Sequence, residues 1–313
     1  DADLYVVLTG CIPEIVGDDV ADVVSKFSDA EKPVVFAPTA GFKGNNYKGH
    51  EQVVEAIVTQ YLKKSDDKQK GLVNIWADVP YQDLFWLGNI RELENLLTEI
   101  GLTPNTIFGY QRGIENINKI PHAEFNLLVS PWVGLKNMKT MEKTLGIPYL
   151  HYPVLPVGAT ETGKFLREVG KFANIDEGKV EAVIKKHEDY FYYLISRYAD
   201  LFLENRVINK QFSVVADAQY SLAITKFLVN DLGLTPAKQF VTDDTPKEYQ
   251  EAIKAEFNNL NFGIKADVAF ETDGFKIHEA IKEHDYHGYP LVLGGYYEKE
   301  LTEKLKGNFL NIS

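Results

Sequence analysis

Short apolar runs, often rich in Val and Ile, alternate along this chain with longer segments whose apolar positions recur every three or four residues. The first pattern is that of strands buried on both faces of a parallel sheet, the second that of amphipathic crossover helices. Together they predict strands over Leu4–Leu8, Pro33–Ala37, Leu72–Trp76, Thr106–Gly109, Phe125–Val129, Tyr149–Tyr152, Phe212–Ala216, Lys238–Thr242, Ala266–Glu271, Pro290–Gly294 and Phe309–Ile312. Strands separated by helices define an α/β fold, here successive Rossmann-like domains with parallel sheets flanked by helices.

Two polar stretches read as joints between such domains. Lys63–Lys70 is charged and lacks apolar period, and Glu204–Lys210 plays the same part before the strand at Phe212. They divide the chain into residues 1–70, 71–208 and 209–313, with a long helix over Asp176–Leu203 closing the second domain. That helix carries Tyr190-Phe191-Tyr192-Tyr193, whose helical setting points to core or subunit packing. The second and third domains share a grammar. In both, a strand leads into a loop and an amphipathic helix, which stops at the glycine of Ile100-Gly101-Leu102-Thr103-Pro104 or of Leu232-Gly233-Leu234-Thr235-Pro236. Such near-identity suggests duplicated units.

A hydrophobic share of 45% against 25% charged residues supports folded cores over 313 residues. The formal charge of −12 repels phosphate backbones and anionic headgroups, which argues against nucleic acid and membrane surfaces as partners. No apolar run reaches the length of a spanning helix, and the chain opens on Asp1 rather than Met, almost at once in a strand, so its natural beginning is expected upstream. One cysteine forms no internal disulfide and fits a reducing, cytoplasmic setting.

That cysteine, Cys11, follows the carboxyl end of the first strand and precedes a helix with Pro13 in its first turn. Open parallel sheets bind ligands at that edge, and a helix start stabilises a thiolate. Cys11 is therefore placed to be a metal ligand or a nucleophile; the alternative is a small residue buried at a tight turn. The loop Pro38–His50, with glycines at 41, 44 and 49 and a helix expected near His50, would lie beside Cys11 if the first two strands are neighbours.

Other candidates carry less. His278, His284 and His287 do not have the spacing that puts two imidazoles on one helical face, and a solvated helix end explains them. Asp66-Asp67 and Asp243-Asp244 read as linker and turn. A P-loop, a Gly-x-Gly-x-x-Gly fingerprint after Ala216 and a Gly-x-Ser-x-Gly elbow are all missing.

The run Thr9-Gly10-Cys11-Ile12-Pro13-Glu14-Ile15-Val16-Gly17-Asp18-Asp19 resembles the cysteine and Ile-Gly-Asp-Asp signature of nitrogenase component 1 subunits. Further segments are similar in colinear order: Thr39–Gly44, Val73-Asn74-Ile75 with Gly88–Leu93, Leu145–Pro148 with Pro156–Thr162, and Phe212–Asp217 with Thr225–Leu228. The β-type branch is nearest. The resemblance implies three Rossmann-like domains and an iron–sulfur cluster, P-cluster-like or [4Fe-4S], shared with a homologous α-type subunit. It also implies electrons delivered by an ATP-dependent iron protein reductase. By position Cys11 takes the ligand role, Gly41 lies next to the cluster, and Gly10 and Phe42 line it.

The sequence departs from the pattern in places. Gly41 stands where the β-type chain has serine, and the family's other cluster cysteines precede the Cys11 motif. The catalytic subunit's cofactor cysteine has no counterpart in Glu204–Lys210, and the chain stops at Ser313, short of the family's last segment. These departures imply an electron-transfer subunit or an assembly scaffold rather than the substrate-reducing chain. A metallophore-binding protein of two Rossmann-like lobes joined by a long helix is a third reading.

Overall fold

The structure, a computed structural model, describes residues 2–204 and 209–312. Part of the joint proposed at Glu204–Lys210 therefore lies outside the described residues. The chain forms two compact units, Asp1–His151 and Tyr152–Ser313.

The first unit begins with β1 (Tyr5–Leu8), α1 (Cys11–Val16), α2 (Val20–Ser25), β2 (Val34–Ala37) and α3 (Asn46–Ala56). Strands β1 and β2 pair in parallel, Tyr5 opposite Val34 and Leu8 opposite Ala37. A larger parallel sheet follows, built from β3 (Gln69–Trp76), α4 (Trp86–Ile100), β4 (Thr103–Asn105), α5 (Ile114–Lys119), β5 (Ala123–Val129), α6 (Leu135–Leu145) and β6 (Tyr149–Tyr152), in the order β4-β3-β5-β6. Helix α4 shows why these segments fold as they do. Ile90, Leu93, Leu96, Leu97 and Ile100 fall on one face and are buried, and the helix ends where Gly101 adopts φ 99°, a conformation that costs glycine little.

The second unit holds α7 (Gly158–Phe172), α8 (Glu177–Glu204), β7 (Gln211–Ala216), α9 (Ala218–Asn230), β8 (Thr235–Pro236), β9 (Gln239–Val241), α10 (Lys247–Phe257), β10 (Val268–Phe270), α11 (Gly274–Glu283), β11 (Leu291–Gly294), α12 (Tyr296–Lys304) and β12 (Asn308–Asn311). Its sheet runs β10-β9-β7-β11-β12, with β8 on β7. Phe165, Phe212, Phe240 and Phe257 are fully buried, and so is Lys226, whose ammonium reaches Glu256 at 2.8 Å and the carbonyl of Asn259 at 3.3 Å. A charge so deep is tolerable only when paired in this way.

Several expectations need correction. The strand placed at Thr106–Gly109 lies at Thr103–Asn105, because Thr106 turns back to the carbonyl of Phe108 and Gly109 takes φ 124°. Pro104 does not prevent pairing, since β4 is an edge strand and needs no donor on its open side. The Leu-Thr-Pro repeat thus starts a strand in both places: Thr103 pairs opposite Leu72, and Thr235 opposite Gln211. The helix expected near His50 starts at Asn46, where the Asn45 side chain accepts from the Lys48 amide. The apolar run predicts a β1 buried on both faces, yet Leu8 is 55% exposed, because β1 has one partner strand among the described residues. Of the aromatic group on α8, Phe191 packs edge-on against Phe227, while Tyr190, Tyr192 and Tyr193 are exposed.

Gly158 offers a test of the second unit's packing. It opens α7 at φ 82°, and a Cβ there would sit 2.5 Å from the Phe227 ring and 2.6 Å from a carboxylate oxygen of Asp231. That carboxylate accepts from both the amide and the hydroxyl of Thr160, so it cannot withdraw freely. Gly158→Ala is expected to destabilise the protein by about 2 kcal/mol, from left-handed strain plus overpacking, as read by urea unfolding.

Candidate functional site

The carboxyl ends of β1 and β2 lie side by side, and the two loops leaving them meet. Helix α1 starts at Cys11 itself, with Gly10 as its extended N-cap and Pro13 in its first turn. The loop after β2 makes a single 3₁₀ turn over Gly41–Lys43. A Cβ on Gly41 would lie 3.5 Å from the Cys11 sulfur, so the Gly41 backbone borders the thiol directly. Cys11 is exposed, as are Gly10, Gly41 and Phe42, and the alternative of a small residue sealed at a turn does not describe it.

Three contacts hold the loops together. The Thr9 hydroxyl donates to Glu14 at 2.7 Å, Lys43 forms an ion pair with the other oxygen of Glu14, and the Thr39 hydroxyl donates to the Thr9 carbonyl at 3.1 Å. Glu14 is thus the clamp between the two sides of the thiol. The Lys43 ammonium, then the Thr9 hydroxyl, hold its carboxyl below the ordinary carboxylate range. A lowered folded-state value means the clamp is present above the ordinary value of 4.5 and is lost as pH falls through and below it. Glu14→Gln is expected to raise amide hydrogen exchange over Cys11–Val16 roughly two- to fivefold near neutral pH, the scale of one exposed ion pair. Relative to the intrinsic exchange rate at each pH, acidification should lower protection over Cys11–Val16 by the same factor in the unmodified protein and change it little further in the variant.

Several apolar side chains of the two segments that carry Cys11 and Gly41 are uncovered: Ile12 is 75% exposed, Ile15 72% and Phe42 59%. Exposed apolar side chains of this kind suit a contact surface. As a metal donor set, one soft thiolate suits iron–sulfur chemistry but supplies a single ligand. Its exposure, and the open space bordered by Gly41, fit a group completed from outside this chain.

The histidines set aside from the sequence have partners of their own. His278 faces Glu298 at 3.4 Å, His284 packs on the ring of Tyr286, and His287 pairs with Asp285. Among the described residues no group of three or more His, Cys, Asp or Glu side chains is arranged to hold a metal ion. The helix starts that would face a dinucleotide phosphate carry carboxylates of the chain instead. Asp217 accepts from the Tyr220 amide and Asp243 from the Ala218 amide at α9, and Glu298 accepts from the Gly295 amide at α12. No helix among the described residues is long and apolar enough to cross a membrane.

Fold and site define an α/β protein of parallel sheets with one exposed thiol at the carboxyl edge of its first sheet. The model of the nitrogenase component 1 type oxidoreductases matches residues 2–313, and the chain belongs to that family. The B subunit of light-independent protochlorophyllide reductase from Angiopteris evecta is 27% identical over 245 residues, 74% of this chain and 47% of the relative. Its counterpart from Chlorokybus atmophyticus is 27% identical over 249 residues, 75% of this chain and 48% of the relative. The chain spans about half the length of these curated relatives. Among solved structures, nitrogenase Cp1 at pH 6.5 superposes with a TM-score of 0.77 at 20% identity, covering 99% of this chain and 68% of the other. That likeness concerns the fold.

Sequence reasoning misses two features of the site. Glu14 stands out only as part of a motif, and its partner Lys43 is distant along the chain. The exposed apolar side chains look like core, because composition alone does not tell a covered valine from an uncovered one.

Proposed function

We propose that this chain is a β-type subunit of a nitrogenase-like reductase, in which Cys11 ligates an iron–sulfur cluster at the contact with a homologous α-type subunit. The observation that carries the reading is the exposed Cys11 thiol beside Gly41, with Ile12 and Phe42 uncovered next to them in the sequence, in a chain of this family. When bound, such a cluster relays electrons one at a time between a donor and the reducing site. The chain's own residues hold and shield it. Cys11 supplies a thiolate, and Gly41 leaves the space a side chain would fill. Gly10 and Phe42 line the group, Ile12 and Phe42 exclude water once covered, and the Glu14–Lys43 pair fixes both loops. The donor in this reading is an ATP-dependent iron protein, a separate component, since the chain has no phosphate-binding loop. The reading includes three Rossmann-like domains, 1–70, 71–208 and 209–313, and a cytoplasmic setting.

Anaerobic purification from the native source tests it. A second chain of the same family should co-purify, and the complex should be brown, contain iron and give a cluster EPR signal on reduction. A colourless complex without iron would refute the reading. Stable retention of the cluster through turnover identifies a relay subunit, whereas release to an acceptor apoprotein identifies an assembly scaffold.

A further inference from the structure

The loops that leave β3 and β4, neighbours in the four-stranded sheet, present apolar side chains that the chain itself leaves uncovered. Tyr81, in the loop after β3, is 87% exposed, and Leu84, Phe85 and Leu87 at the start of α4 are exposed with it. Tyr110, in the loop after β4, is 85% exposed. The first loop is firmly built. The Asp83 carboxylate, itself buried, accepts from the Phe85 amide at 2.7 Å and from the Asn89 side chain at 3.1 Å, and the Tyr81 ring lies 5.4 Å from that of Trp86. A surface ordered in advance gives up little entropy when it is covered.

The composition here is that of a protein contact. Residues 71–118, which include both loops and α4, hold none of the chain's lysines and only two of its arginines, Arg91 and Arg112. Exposed aromatic side chains in a stretch without lysine are the mark of a surface covered by another protein. Two arginines, of which Arg112 is already paired with Glu94 at 2.6 Å, are too few to serve a phosphate backbone.

Both loops brace on the first turns of α3. The Asn46 side chain donates to Gln82 at 3.1 Å, and the His50 ring lies 5.4 Å from that of Phe108. Helix α3 follows closely on the Gly41–Lys43 turn, whose glycine borders the thiol. One helix thus joins this surface to the loop beside Cys11.

We propose that the homologous chain meeting Cys11 also covers Tyr81, Leu84, Phe85, Leu87 and Tyr110, so that these loops form a second part of the subunit contact, one that does not depend on iron. The inference rests on the reading of Cys11 as an interface residue.

Hydrogen exchange of the anaerobic complex against the isolated chain tests it. Amides of residues 81–85 and 109–112 should exchange at least about tenfold more slowly in the complex. Leu84→Asp alters an exposed position, so the isolated chain should keep its circular dichroism, while association with the second chain weakens at least about tenfold, as for one central contact residue. Cys11→Ala should lose iron and keep the second chain bound. A brown two-chain complex in which these amides exchange as in the isolated chain, or in which Leu84→Asp associates unchanged, overturns this inference and leaves the Cys11 reading standing. Protection that appears only when the ATP-dependent reductase is added gives the surface to that component and likewise overturns the proposal. If no second chain co-purifies, both fall.

Discussion

Replacing Cys11 by alanine should leave the fold intact and strip the anaerobic complex of the iron and EPR signal that depend on this chain. The fold survives because the thiol is exposed and its loops are held by Thr9, Glu14, Thr39 and Lys43, none of which needs the sulfur. The cluster does not, because Cys11 is the thiol that the edge of the first sheet offers, and Gly41 beside it has no side chain to stand in for it. The loss should be near complete in iron analysis, while circular dichroism and the thermal midpoint stay within the small range typical of an exposed substitution. Serine at position 11 offers a hard oxygen in place of a soft thiolate, and should bind the cluster more weakly than cysteine. Unchanged iron content in Cys11→Ala would remove the sulfur from the account altogether.

The largest expected loss of stability comes from a different place, a ladder of asparagines inside the four-stranded sheet. Asn105, Asn74 and Asn126 stand opposite one another on β4, β3 and β5, and all are buried. Asn105 donates to Asn74 at 2.8 Å, Asn74 donates to Asn126 at 2.9 Å and to the Ile120 carbonyl at 3.1 Å, and the Trp76 indole donates to Asn126 at 3.1 Å. Asn116 on α5 closes the row, donating to Asn105 at 3.1 Å. Each amide leans on the next, so removing the middle one takes a hydrogen bond from the buried groups on both sides, leaving Asn105 its bond to the Asn116 carbonyl and Asn126 its bond from the Trp76 indole. Asn74→Ala should cost about 4 kcal/mol and lower the first unit's thermal midpoint by roughly 8–16 °C. A change below about 1 kcal/mol would mean the ladder relaxes around the gap.

The ladder also shows what sequence reading reaches and what it misses. The strand itself is legible at Leu72–Trp76, because a continuous apolar run between helices has few other uses. The polar residue inside it is legible only as an exception, and nothing local tells that two further asparagines lie in register with it. The helix stop at Gly101 is visible from the glycine and the proline after it, yet the same residues suggest a turn where the fold begins a strand. Pairing of an edge strand depends on what stands beside it rather than on its own residues. At the site, the position of Cys11 between strand and helix follows from local pattern. Its exposure and the Glu14–Lys43 clamp depend on contacts between separate loops, which only the folded chain displays.

The most direct test of the account is the reactivity of Cys11 in two settings. Iodoacetamide should alkylate it fully in the isolated chain, where the sulfur is open to solvent. In the intact anaerobic complex it should be protected, and become reactive again when an iron chelator dismantles the cluster. Equally rapid alkylation in the complex, with its iron and EPR signal unchanged, would show that the thiol neither holds iron nor meets a partner.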